Sequence, residues 1–455
     1  MAHSDDWIDG FAEGRTVGER FRAVNGTVVG PGAGSARDAL VRTLTSATLD
    51  AAARRRPRRK DRAELRRRAL RLRERDFDGV ALGLMALLAD RWRDPAAKAW
   101  LAPMLAGSGR FREAARRRVR HVADGPSPSD LVVTVSALSL LGRTSHARKR
   151  FARLREQSAG VRSDVVSVWD DTALGREYRA LVDAAPRRAL PVFYHLPFCG
   201  GTSVITSIKQ VTPWSTIVPI NRRHGLFQIE AALQLDEKEA RTKVLVHQHH
   251  PYALEIPGRE LSFFTVLRDP VSQLSSGFHK RLSTRGVLEM RDGSETFADH
   301  AEYTMRSGLT NMLARQIAVT HPELRSAYRA HFAGRGNFRS VGTEEDLFFL
   351  DATADLSDQR LLDLCREALD TRFHSVGTIA HLGASHLAGA ALLRLPVARR
   401  VVHTGKSGQP TAQLPDALDA ELRAANAVDQ TLYDEYTERF RARHAGLIAA
   451  TEAGA

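Results

Sequence analysis

The chain has 455 residues, 43% hydrophobic and 26% charged, the balance of a globular protein long enough for two or three domains. It contains no run of about 18 apolar residues that could span a membrane as a helix, and its two cysteines, Cys199 and Cys365, provide neither a disulfide framework nor a zinc spacing. The net charge of +14 is concentrated: thirteen Lys/Arg and three Asp/Glu lie between Arg54 and Arg75, which leaves only +4 elsewhere.

Met1 to Asp6 lack the basic-then-apolar order of a signal peptide, so a cytoplasmic protein is the expectation. Residues 1–76 are expected to form a flexible, Arg-rich N-terminal segment, loose around Gly30-Pro31-Gly32-Ala33-Gly34. Within it Leu65, Ala69 and Leu72 fall at helical spacing, which predicts an Arg-coated helix. Such a helix is either a solvated segment or a surface for an acidic polymer or membrane headgroups. Aromatic residues do not interleave with the arginines, which argues against stacking on single-stranded nucleic acid.

Residues 77–185 read as helical. Gly109-Arg-Phe-Arg-Glu-Ala114 recurs as Gly142-Arg-Thr-Ser-His-Ala147, a period of 33 residues, each copy after an apolar stretch and before a basic amphipathic one. The spacing resembles tetratricopeptide helix pairs, which stack to present a partner-binding face or serve as a packing accessory.

From residue 186 to 455 strands alternate with helices, which predicts an α/β domain with a parallel sheet. Pro191-Val-Phe-Tyr-His-Leu-Pro-Phe-Cys-Gly-Gly-Thr-Ser203 reads as strand, tight loop and helix start. Gly200 and Gly201 allow close backbone approach to a ligand, and the helix start with Thr202 and Ser203 favours an anion such as a phosphate. It is not a Walker loop. Strands are expected at Thr242–His247, Leu261–Leu267 and Phe338–Val341, with a helical insert over 285–335 and a long helix from Pro415 through Tyr433 to Phe440. The second of these strands ends in Arg268-Asp269-Pro270, which offers a planar guanidinium fork for a phosphate, with Ser276 two turns into the next helix. The competing structural reading makes Asp269 a helix cap and pairs Arg268 with a carboxylate. His247, His249 and His250 invite a metal site, since two of them share a strand face, but no acidic third ligand stands at a recognisable spacing; the expected site holds no metal.

These motifs resemble the 5′-phosphosulfate loop and 3′-phosphate motif of sulfotransferases that use PAPS (3′-phosphoadenosine 5′-phosphosulfate), in particular the carbohydrate group that includes the heparan-sulfate 2-O-sulfotransferases. The similar residues are His195-Leu-Pro-Phe-Cys-Gly-Gly-Thr-Ser203, His249-His250-Pro251-Tyr252, Leu267-Arg268-Asp269-Pro270 with Ser276, Asn311 with Arg315 and Gln316, Val341-Gly-Thr-Glu344, His403-Thr-Gly-Lys406, and Asp429 with Tyr433, over about residues 190–440. The resemblance implies a P-loop-like sulfotransferase fold and transfer of a sulfuryl group from PAPS to a hydroxyl of a saccharide or glycoconjugate. It implies that Gly200, Gly201, Thr202 and Ser203 hold the 5′ end, that Arg268 and Ser276 hold the 3′-phosphate, that Lys406 closes over the nucleotide, and that His249 is the general base. Asn311 and Arg315 either touch a substrate or brace the insert; Glu344 anchors a loop, and Asp429 and Tyr433 are structural. Phe198 stands where the family has a Lys, and Cys199 replaces a Thr. The alternative expectation is therefore a nucleotide-binding or scaffold protein that has lost turnover, with the helical repeats recruiting a protein partner; nucleic acid is not an expected ligand.

Overall fold

The computed structural model describes residues 59–73, 78–117, 126–220, 235, 237–249, 256, 258–283, 296–332, 348–401 and 413–453. It divides into two compact units, Met1–Ala159 and Gly160–Ala455.

The first unit is helical where described: Arg59–Arg73, Asp78–Ala86, Pro95–Gly107, Phe111–Arg116, Pro128–Leu140 and Thr144–Gln157, with a short π-helical stretch over Leu87–Arg91. The expected Arg-coated helix is present as Arg59–Arg73, and it is packed along one face. Leu65 and Ala69, one turn apart, are buried in a core shared with Leu82, Met85, Leu88, Leu101 and Met104. Arg66 forms an ion pair with the nearly buried Asp94 at 2.8 Å, and the same carboxylate accepts the Ala97 N–H as an N-cap. Apolar burial on one helix face orders a segment that composition alone marks as too charged to pack.

The 33-residue period has a structural counterpart. Asp94 and Ser127 each cap a 13-residue helix that begins with proline, Pro95–Gly107 and Pro128–Leu140. Each helix is followed by a left-handed glycine, Gly109 at φ 86° and Gly142 at φ 71°. Each stop is closed by the same wide bond, Arg110 N–H to the Leu105 carbonyl and Arg143 N–H to the Leu138 carbonyl, both 2.9 Å, as in a Schellman termination. Ala114 and Ala147, equally spaced on the following helices, are fully buried.

The second unit is an α/β layer structure. Its sheet has five parallel strands, β1 (Leu190–Tyr194), β2 (Ile217–Ile220), β3 (Leu245–Gln248), β4 (Leu261–Leu267) and β5 (Phe373–Thr378), in the spatial order β2-β3-β1-β4-β5. β1 and β3 are buried along their whole length and β4 nearly so, as expected of a parallel sheet covered on both faces. Two strands were not anticipated. β2 carries Pro219, which removes a ladder N–H and is tolerated at an edge. β5, Phe-His-Ser-Val-Gly-Thr, is too polar to read as a strand in isolation. The expected strand from Thr242 begins at Leu245, because Glu237–Thr242 forms a helix. The expected strand at 338–341 lies outside the described residues.

Residues 160–185, expected with the helical region, carry a strand pair to the second unit. Val165–Val166 pairs antiparallel with Val397–Ala398, and Tyr178, in helix Ala173–Ala184, donates its buried hydroxyl to the Leu395 carbonyl at 2.7 Å. Where it is described, over 296–332, the insert is helical as expected, with Phe297–Arg306, Met312–Ala318 and Pro322–Phe332. The C-terminal helix is broken at Asn426 into Asp416–Ala425 and Ala427–Arg443. Among the described residues no helix is long and apolar enough to cross a membrane.

Candidate functional site

The chain leaves β1 toward β2 on one side of the sheet and leaves β4 toward β5 on the other, so the strand order reverses between β1 and β4. Open α/β sheets bind ligands beyond the carboxyl ends of their strands at such a reversal. Both phosphate-type motifs stand there.

After β1 the loop 195–200 turns into helix α1 (Gly201–Val211). Val204, Ile208 and Val211 form the buried stripe that docks α1, and Thr202 remains exposed at its first turn. Gly200 has φ 75°, the left-handed conformation glycine adopts without strain. Phe198 also has a positive φ, 61°, which costs a bulky residue about 1–3 kcal/mol. Three contacts hold it. Arg268 Nη1 donates to the Phe198 carbonyl at 2.9 Å, Gln273 Nε2 donates to the Pro197 carbonyl at 2.9 Å, and the Phe198 ring lies against Gly277, whose missing side chain leaves it room.

Arg268 follows β4 and precedes helix α2 (Pro270–Ser283). Of the competing structural reading, half holds. Asp269 is a cap, accepting the Ser272 N–H at 2.8 Å, but its cationic partner is Arg423 at 2.9 Å. Among the described residues no carboxylate pairs with Arg268. Its Nε is buried without a hydrogen-bond partner, and burial lowers its pKa from the ordinary arginine value. A half-buried guanidinium that, among the described residues, binds a loop carbonyl and leaves a further donor unused fits an anionic group. Ser276 is half-buried on α2, next in the chain to the Gly277 covered by Phe198.

The third strand contributes the histidines. β1 and β3 pair in parallel with Phe193 opposite His247 and Tyr194 opposite Gln248, and the His195 N–H extends the ladder to the Gln248 carbonyl at 2.7 Å. This register sets His195 across from His249, on the same face as His247. His195 Nδ1 lies 3.0 Å from His247 Nε2, and the His195 and His249 rings are 4.0 Å apart between centroids. Phe193 stacks on His195, His247 and Phe264. Burial, with smaller contributions from the neighbouring imidazoles, holds His195 well below the usual histidine range. Burial, followed by the charges of His249 and Lys209, pushes His247 down to about 2. Both rings are therefore neutral at ordinary pH. His249 is half-buried at the open end of the row. Gly201 also belongs to this cluster: a Cβ there would sit 2.0 Å from His195 Cδ2 and 2.4 Å from its Nε2.

Of the other expected residues, Gly200, Gly201, Thr202 and Ser203 form the turn and first turn of α1. Lys406, His250, Tyr252, Glu344 and His403 lie outside the described residues. Asn311 and Arg315 brace the insert. Buried Asn311 donates its N–H to Asn426 Oδ1 and accepts the N–H groups of Val428 and Asp429 at its own Oδ1, while Arg315 donates to the Thr310 carbonyl and to Thr353. Asp429 is structural as expected, accepting the N–H groups of Leu313 and Ala314. Sequence spacing missed the third imidazole, His195, because it is 52 residues from His247 and only strand pairing joins them. No protein-family model matches the chain, and no curated protein is similar to it at a significant level.

Proposed function

We propose that the chain is a cytoplasmic PAPS-dependent sulfotransferase of the carbohydrate type, acting on a hydroxyl of a saccharide or glycoconjugate. The observation that carries this reading is the convergence, at the point where the strand order reverses, of the glycine turn at Gly200–Gly201 and of Arg268, which pairs with no carboxylate among the described residues. PAPS supplies the activated sulfuryl group. The N–H groups of Gly201 and Thr202, ahead of the Ser203 and Val204 N–H groups that already bond the Gly200 carbonyl, hold the 5′ end, with the Thr202 and Ser203 hydroxyls beside them. Arg268 and Ser276 hold the 3′-phosphate, and Lys406 completes the nucleotide site. His249 takes the acceptor proton as the oxygen–sulfur bond forms and the bond to the 5′-phosphate oxygen breaks, releasing a sulfate ester and 3′-phosphoadenosine 5′-phosphate.

Phe198 favours a second reading, a nucleotide-binding scaffold of the same fold. An aromatic ring packed on Gly277 supplies no charge to a leaving phosphate. The helical unit would then recruit a protein through tetratricopeptide-like pairs. Among its described residues no large hydrophobic side chain is exposed, so that partner surface would be polar and basic rather than an apolar groove.

Calorimetric titration of the full chain with 3′-phosphoadenosine 5′-phosphate tests both. Saturable binding that Arg268→Ala weakens supports the nucleotide site; a charge-assisted contact contributes about 1.5–3 kcal/mol, roughly 10- to 150-fold in affinity. Absence of binding, or unchanged affinity in the variant, refutes it.

A further inference from the structure

The three imidazoles do more than the proposed chemistry requires. A single base needs His249 alone, yet His195 and His247 bring two more ring nitrogens, and one potential ligand atom from each residue lies within 4.8 Å of the others. We propose that His195, His247 and His249 form a three-imidazole site for a divalent transition metal of the zinc class, with its fourth position open on the side of His249.

The chemistry of the donors selects the ion. Neutral imidazoles suit zinc, copper, cobalt and nickel and suit magnesium or calcium poorly, which take oxygen ligands. Three histidines with an open fourth position are a known arrangement for zinc with an exchangeable ligand. The distances fit with small movement. Zinc–nitrogen bonds of about 2.0–2.1 Å place tetrahedral ligand atoms roughly 3.3 Å apart. His195 Nδ1 and His247 Nε2 stand at 3.0 Å and need to part by a few tenths of an ångström. The remaining separations, at most 4.8 Å, close by up to about 1.5 Å, on the scale of ring rotation by His249 at the strand end. One hydrogen now lies between His195 and His247; metal binding transfers it to the other nitrogen of its ring, a tautomer change without net loss of a proton.

The frame is rigid where the site needs it. Parallel pairing of β1 with β3 fixes the register that aligns the residues, Phe193 stacks on two of the rings, and Gly201 admits the His195 ring against α1. Only His249 is partly exposed, so an exchangeable ligand enters from its side. A nitrogen bound to a metal cannot accept a proton. Occupancy therefore withdraws His249 from acid–base work, and within the proposed sulfotransferase the metal acts as an off-switch. The site itself does not depend on that function.

The test is titration of the full chain, stripped with a chelator, with Co²⁺ followed by visible absorption and with Zn²⁺ followed by calorimetry. One equivalent should bind with the spectrum of a four-coordinate nitrogen site. His249→Gln, at a half-buried position, should weaken binding by more than the ~10–100-fold that loss of an outer-shell partner costs, and His195→Gln should do the same. Arg268→Ala should bind the metal as the natural chain does. Absence of saturable binding, or unchanged affinity in a folded His249→Gln variant, overturns the proposal. Metal binding without nucleotide binding in the same samples would sink the transferase reading and leave the metal site standing. Nucleotide binding without metal would do the reverse.

Discussion

Replacing Gly201 by alanine tests how closely the phosphate-type turn and the histidine row are built together. The backbone of Gly201 is helical and open to any L-residue, so the constraint is the neighbouring ring. A new Cβ would stand 2.0 Å from His195 Cδ2, 2.4 Å from Nε2 and 2.6 Å from Cγ, whereas carbon atoms rest at about 3.5–4.0 Å. The ring must retreat by roughly 1.5 Å, and little space is open to it: Phe193 stacks at 5.5 Å, His249 lies at 4.0 Å, and Nδ1 is bonded to His247. Overpacking of this kind costs about 1–3 kcal/mol. Loss of the imidazole–imidazole bond adds about 0.5–1.5 kcal/mol, while alanine in a helix gains back about 0.5–1 kcal/mol. The expected net loss is about 2 kcal/mol, read as a lower denaturant midpoint in urea unfolding. The decisive measurement is the double-mutant cycle with His195→Ala. With the ring gone the clash vanishes, and Gly201→Ala should become neutral or slightly stabilising, a coupling of about 2–3 kcal/mol. A single variant as stable as the natural chain, or an equal loss in both backgrounds, would refute the assigned packing.

His249→Ala should leave nucleotide affinity nearly unchanged in calorimetry and lower sulfuryl transfer by roughly 10²–10⁴, the share of a general base; a parallel loss of nucleotide binding would contradict its placement as the base. Within the proposed transferase, Phe198→Lys should raise or preserve transfer, because a lysine there would offset charge building on a leaving phosphate. If the natural chain binds the nucleotide yet neither form transfers sulfate to a broad saccharide panel, the scaffold reading is the better one. Asp429 gives a pH signature. Burial pushes its carboxyl up from 3.8 to about 7, against the Leu313 and Ala314 N–H groups and Arg315 that pull it down. A carboxyl with a raised folded pKa binds its proton more tightly in the folded chain. The stability it contributes is full below about pH 4 and is lost as pH rises through about 7. Asp429→Asn removes the titration, so the natural chain should lose stability relative to the variant between those limits in urea unfolding. A constant difference, or one of opposite slope, would show that the helix N–H groups outweigh burial.

Local sequence determined the elements whose signals are local. The run Leu261–Leu267 is apolar along its length, so β4 stands where the pattern puts it. The turn at Gly200 is a positive-φ glycine between a strand and an apolar helix stripe, and the paired glycines 33 residues apart both terminate helices. Arg268 at the end of a strand and Asp269 ahead of a proline were legible for the same reason: each role depends on residues within a turn of itself. Tertiary structure decided the rest, because the energies involved come from partners distant in the chain. Whether Arg59–Arg73 is solvated or packed depends on Leu82 and Leu101 receiving Leu65 and Ala69. β2 and β5, with a proline in one and polar residues in the other, become strands only because β3 and β4 offer them open edges. The partner of Asp269 is Arg423, 154 residues away. His195 was visible in the sequence as the first residue of a motif. Only the in-register pairing of two parallel strands brings its ring to His247 and His249, since hydrogen-bonded strands about 4.8 Å apart join residues that sequence spacing holds far from one another.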